Sequence, residues 1–111
     1  HVSTADELEL LQDPEGLITA EVCPHHLFFN VDDYERLKSL VQMNPSIKTA
    51  ADNAGLWRGL LDGLVQVVAT DHAPHAPETK AVPFEDAPPG MLGVETAFAV
   101  AHTHLVKTGR L

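Results

Sequence analysis

The stretch VQVVATDHAPH, Val65 to His75, decides how this sequence reads: a β-branched apolar run breaks directly into one carboxylate and two imidazoles. Val65, Val67 and Val68 suit a pleated, buried surface, and Asp71, His72 and His75 follow at its mouth. In parallel α/β architectures the working residues sit at the C-terminal ends of the strands. The stretch is read as a buried strand that delivers chemistry to a rim.

Upstream, LITAEVCPHH (17 to 26) repeats the arrangement, bounded by Gly16 and Pro24 and ending in His25 and His26. His1 stands just before a capped helix and would occupy the same rim if a third strand ended at that point. Helical segments separate these strands. Thr4 and Glu7 form a capping box for a helix whose apolar face is Leu8, Leu10 and Leu11 and which stops between Pro14 and Gly16. VDDYERLKSLV (31 to 41) is amphipathic, with acidic residues where a helix dipole favours them. MNPSIKT (43 to 49) reads as a loop, because Asn44 precedes Pro45. Ala50 to Leu61 is helical in pattern, with Leu56, Leu60 and Leu61 on one side and Gly63 as its stop. Residues 71 to 92 hold Pro74, Pro77, Pro83, Pro88 and Pro89 without periodicity, and so form a long functional loop. GVETAFAVAHTHLVKTG (93 to 109) closes as a helix.

Strands alternating with helices, without hairpin signals, predict a parallel α/β fold. Two strands cannot cover both faces of a parallel sheet, so the chain is expected to be part of a larger domain. On that expectation it would be poorly folded and inactive alone.

The balance of 7 Lys and Arg against 16 Asp and Glu gives a net charge of −9, which opposes a nucleic-acid partner. No apolar run approaches the roughly 20 residues of a membrane helix. A single cysteine, Cys23, forms no internal disulfide, which points to a reducing, cytoplasmic setting, and reads as a small buried hydrophobe.

A histidine and an aspartate from different strand ends suit a divalent metal such as zinc, with a position open to water. The alternative for Asp71 is a loop cap bonded to backbone amides. His25, His26 and His72 read as hydrogen-bonded structural groups, with a supporting role at the site kept open for His26. His102 and His104 lie two apart in a helical pattern and so point to different faces. Trp57 reads as packing, and Asp32, Asp33 and Glu35 as a solvated first turn.

HVST (1 to 4), EVCPHHL (21 to 27), MNPSIK (43 to 48), ATDHAPH (69 to 75) and FEDAPPGMLGVETA (84 to 97), in this order and at these separations, resemble the C-terminal part of the barrel of a class I dihydroorotase in the amidohydrolase superfamily. The resemblance implies a fragment of a (β/α)₈ TIM-type barrel, from the end of strand 6 to strand 8. Residues 1 to 111 would be one incomplete domain whose N-terminal part is missing. It further implies that His1 and Asp71 are zinc ligands and that Asp71 is the general base. His75 would bind the substrate carboxylate, Asn44 the pyrimidine ring, and Pro89 and Gly90 the substrate through backbone groups. The reaction implied is the reversible cyclisation of N-carbamoyl-L-aspartate to L-dihydroorotate.

Two alternatives accompany it: a dihydropyrimidinase- or allantoinase-like enzyme, and a non-catalytic partner of aspartate transcarbamoylase. Homo-oligomer formation also stays open. The sequence departs from the family pattern at Ser46 and Lys48, where Asn-Pro-Pro followed by Leu-Arg is common. The first-strand His-x-His, the bridging ligand and the fifth-strand histidine are not in this chain.

Overall fold

The computed structural model describes residues 1 to 12 and 15 to 109. At its centre, strand β1 (Glu21–Val22) runs parallel to β2 (Val67–Val68), in register Glu21 to Val67 and Val22 to Val68. Backbone bonds extend the pairing: Gln66 N and Val67 N donate to Ala20 O, and Ala69 N donates to Val22 O. On the other edge of β1, Val2 N donates to Glu21 O at 2.9 Å. His1 therefore lies beside the strand that carries Glu21 and Cys23, as the third strand end was expected to do.

The helices follow in chain order as α1 (Pro24–Phe28), α2 (Asp33–Leu37), α3 (Ala50–Leu61), α4 (Pro77–Lys80) and α5 (Ala97–His102). Helix α3 matches the expected bounds and has a complete capping box, in which Thr49 and Asp52 satisfy each other's backbone N–H groups. Its buried face is Leu56, Trp57 and Gly59. Leu56 and Trp57 pack with Leu8, Ala20, Val22, Leu27 and Val65 into the main core. Trp57 Nε1 donates to Leu27 O at 3.0 Å, which fixes α3 against α1. A second cluster of Val41, Met43 and Ile47 lies under Phe29, Tyr34, Leu37 and Met91. That cluster seats the MNPSIK loop beside the loop after β2.

Several expectations are corrected. The first helix is a 3₁₀ turn, Asp6–Leu11. Its three-residue period puts Leu8 and Leu11 on one side and leaves Leu10 80% exposed. The expected contact of Glu7 with Thr4 does form, Thr4 N donating to Oε2 at 2.8 Å, and Ser3 N donates to the same oxygen at 2.8 Å. The expected stop at Pro14 lies outside the described residues.

Both strands are far shorter than expected. Leu17 and Ile18 are exposed, as are Val67 and Val68, because a parallel strand is buried only where neighbours and helices cover it. The helix expected over 31 to 41 breaks at Lys38 (φ 49°) into α2 and a 3₁₀ turn, Lys38–Val41. In α3, Leu61 faces solvent. The loop over 71 to 92 contains α4, opened by Pro77 in the first turn, and a 3₁₀ turn, Phe84–Asp86. The last helix continues from α5 into a π turn, Thr103–Lys107.

Candidate active site

At the C-terminal ends of the strands, His1, Glu21, Cys23 and Asp71 converge. His1 Nε2 lies 3.5 Å from Asp71 Oδ1, and His1 Nδ1 lies 2.5 Å from Glu21 Oε1. Glu21 thus holds the imidazole from one nitrogen and turns the other toward Asp71, the arrangement that orients a metal-binding histidine. Asp71 itself has φ 45°, a left-handed conformation that aspartate tolerates better than most residues. Cys23 Sγ lies 3.4 Å from His1 Nδ1.

One donor atom each from His1, Cys23 and Asp71 fall within 4.8 Å of one another. An imidazole, a carboxylate and a thiol at that spacing are the donor types zinc accepts, so the residues fit the expected metal. Burial, then the nearby charges of Asp71 and Glu21, push the Cys23 thiol up to about 12, so it is protonated here. Cys23 is fully buried, in keeping with its reading as a small hydrophobe.

Behind it, His25 and His26 sit on α1 with ring centroids 4.4 Å apart. His26 Nε2 donates to Pro45 O at 2.9 Å and so ties α1 to the MNPSIK loop. Burial, with His26 adding to it and Asp71 opposing, lowers the His25 pKa to about 4. Burial also lowers that of His26, against the opposing Pro45 bond. Cys23, His25 and His26 form a second close group of donors. Within it, His25 Nε2 and His26 Nδ1 have no hydrogen-bond partner among the described residues.

A cavity of about 230 Å³ opens beside Asp71, lined by Met43, Asn44, Asp71, Ala73, Pro89 and Gly90. Four residues expected at the site from sequence, Asn44, Asp71, Pro89 and Gly90, thus line one cavity. They come from three segments far apart in the chain.

His75 does not line this cavity. Its Nε2 donates to Pro89 O at 3.0 Å, and it faces a larger apolar cleft of about 510 Å³ with Phe28, Phe29 and Met91. Gly90 has φ 135°, and a Cβ there would lie 2.7 Å from Ala73 Cβ and 2.8 Å from Ala73 O. The glycine is what lets the PPG turn approach the DHAPH loop.

His72 takes the structural part expected of it, accepting from Gly93 N and Val94 N at Nδ1. His102 stacks on Phe98, and His104 packs against Phe28 and Trp57.

Sequence reasoning missed two residues. Glu21 was legible in principle, since the period of 2 places it on the same face as Cys23 at a strand end. Lys80 is 5% exposed. Nothing local signals that, because lysine is almost never fully buried.

No protein-family model matches the chain. A dihydroorotase from Staphylococcus aureus is 46% identical over 112 residues, covering 98% of this chain and 26% of that protein. A dihydroorotase from Listeria innocua is 45% identical over 111 residues, covering 97% and 26%. Among solved structures, an L-hydantoinase (dihydropyrimidinase) from Arthrobacter aurescens superposes with a TM-score of 0.92 at 32% identity, over 100% of this chain and 26% of that one.

Fold and rim together define a segment of an amidohydrolase-type barrel. Within that class the chain is similar over nearly its whole length to dihydroorotases, and it spans about a quarter of the length of the relatives it matches.

Proposed function

We propose that this chain supplies one metal-ligand pair and the substrate-facing loops of a dihydroorotase that interconverts N-carbamoyl-L-aspartate and L-dihydroorotate. The observation that carries the reading is the single cavity walled by Asn44, Asp71, Pro89 and Gly90, with His1 3.5 Å from Asp71. On this reading residues 1 to 111 are one part of a barrel domain. The 46% identity to a dihydroorotase favours the six-membered pyrimidine ring over other cyclic amides. The hydantoinase-like superposition supports ring-amide chemistry as the class.

His1 and Asp71, with further ligands from outside this chain, would hold a zinc ion, whose chemistry when bound would be to acidify a water and polarise the ring carbonyl. In the hydrolytic direction Asp71 accepts a proton at its carboxylate and passes it to the departing ring nitrogen. In the cyclising direction it removes that proton from the carbamoyl nitrogen. Glu21 keeps the His1 ring in place through Nδ1.

The Asn44 side-chain amide hydrogen-bonds the ring. Backbone groups of Pro89 and Gly90 bound the other wall. His75 Nε2 is committed to Pro89 O. That leaves only Nδ1 for the substrate carboxylate, as a donor when the ring carries both protons.

The test is dihydroorotate turnover by the full-length, zinc-loaded protein beside Asp71→Asn. The parent is expected to turn over and the variant to lose about 10²- to 10⁴-fold in kcat, the usual contribution of a positioned acid–base group. A folded, metal-loaded parent that leaves dihydroorotate untouched refutes the reading.

A further inference from the structure

Lys80, at the end of α4, is buried, with only 5% of its surface exposed. Its ammonium has no carboxylate partner among the described residues. Instead all three N–H donors reach backbone carbonyls: Pro88 O at 2.9 Å, Gly90 O at 3.0 Å and Gln42 O at 3.2 Å. Gly90 N in turn donates to Gln42 O at 3.0 Å. The Lys80 carbonyl is itself held by the hydroxyl of Ser39, on the turn that precedes Gln42.

A buried ammonium is tolerated only where its protons are satisfied, and here each proton is used to collect one carbonyl. The carbonyls belong to, or adjoin, two segments that line the cavity: Gln42 leads into Met43 and Asn44, and Pro88 and Gly90 flank Pro89. Lysine suits the task because it is a compact charge with three divergent donors, where arginine presents a planar fork. An apolar residue would take the shared donor from all three carbonyls and leave only Gln42 O with its bond from Gly90 N. The charge also stands behind the turn, on a chain with a net charge of −9.

The geometry points to Lys80 as a positioning residue that clamps the MNPSIK loop and the PPG turn at the spacing an anionic ring substrate needs. The substrate half of this inference rests on the proposed activity; the clamp itself does not.

The experiment compares the full-length protein with Lys80→Met and Ser39→Ala. It reads amide hydrogen exchange over residues 81 to 92 against α3, metal content, and KM and kcat for dihydroorotate. In Lys80→Met, exchange over 81 to 92 is expected to accelerate about tenfold or more while α3 is unchanged. KM is expected to rise about tenfold with metal content unchanged and kcat reduced much less, the pattern of lost substrate positioning. Ser39→Ala, a milder cut, moves the same quantities in the same direction and decides the matter if Lys80→Met does not fold.

Unchanged exchange over 81 to 92 in a folded variant overturns the clamp. Faster exchange with an unchanged KM overturns the substrate role. If the parent is inert toward dihydroorotate yet exchange accelerates, the activity reading fails and the clamp stands.

Discussion

Asp52 joins two parts of the molecule that the site depends on. Its Oδ2 accepts from Thr49 N at 3.0 Å and from Thr49 Oγ1 at 2.6 Å, which starts α3. Its Oδ1 accepts from Ala5 N at 3.0 Å, which pins the segment that begins with His1. Replacing Asp52 by alanine removes all three bonds.

Loss of the capping half costs about 1 kcal/mol. Loss of the charged acceptor for Ala5 N–H adds about 1 to 1.5 kcal/mol, because the half-exposed amide is partly rescued by water. The expected total is about 2 to 2.5 kcal/mol, read as a shift in the urea midpoint of the full-length protein at constant slope. The hydrogen bond from Thr49, followed by that from Ala5, lowers the Asp52 pKa against a smaller effect of burial. The folded carboxyl therefore titrates below the unfolded value of about 3.9. Its contribution is complete above about pH 5 and is lost as pH falls through the folded value. The difference between parent and Asp52→Ala should thus shrink as pH falls below the unfolded value. A difference under about 0.5 kcal/mol at pH 7, or one that does not shrink as pH is lowered through the carboxylate range, refutes the account.

Two further outcomes follow from the geometry. In Gly90→Ala, the added methyl meets Ala73 Cβ and the Ala73 carbonyl at under 3 Å, at a φ that alanine adopts with strain. The PPG turn must withdraw from the DHAPH loop, and KM for dihydroorotate should rise about tenfold or more, measured by steady-state kinetics with metal content held constant.

His25 is buried neutral with its pKa near 4, so the folded state binds fewer protons than the unfolded one between about pH 6.5 and 4. Stability should fall with falling pH across that window, by about 3 kcal/mol in all. His25→Gln should flatten the slope of a pH series of denaturation midpoints; an unchanged slope shows that the titration belongs elsewhere.

Much of this was legible in the sequence because it follows from local chemistry. The capping pair Thr49 and Asp52 fixes where α3 begins. The β-branched runs ending in CPHH and TDHAPH mark two strand ends, and the order of elements calls for parallel pairing, which β1 and β2 show. Asp71 follows from its place at a strand end, Asn44, Pro89 and Gly90 from the family resemblance, and the fold brings all four to one cavity.

Other features were settled by packing between distant segments. Leu10 looked like core until the 3₁₀ period turned it to solvent. The helix over 31 to 41 reads as continuous, yet it breaks at Lys38, where Tyr34 and Leu37 follow one cluster and the chain must turn toward the MNPSIK loop. Strand lengths depend on neighbours, which no local pattern encodes.

The burial of Lys80 is the plainest case. The residues PETK specify a short polar helix and nothing more. Only the tertiary structure places three carbonyls, from segments separated along the chain, within reach of one ammonium. Sequence alone thus determined which residue types reach the rim, because strand and cap signals are short-range. Tertiary structure decided which of them meet, because hydrogen bonds and burial depend on contacts that close over long stretches of chain.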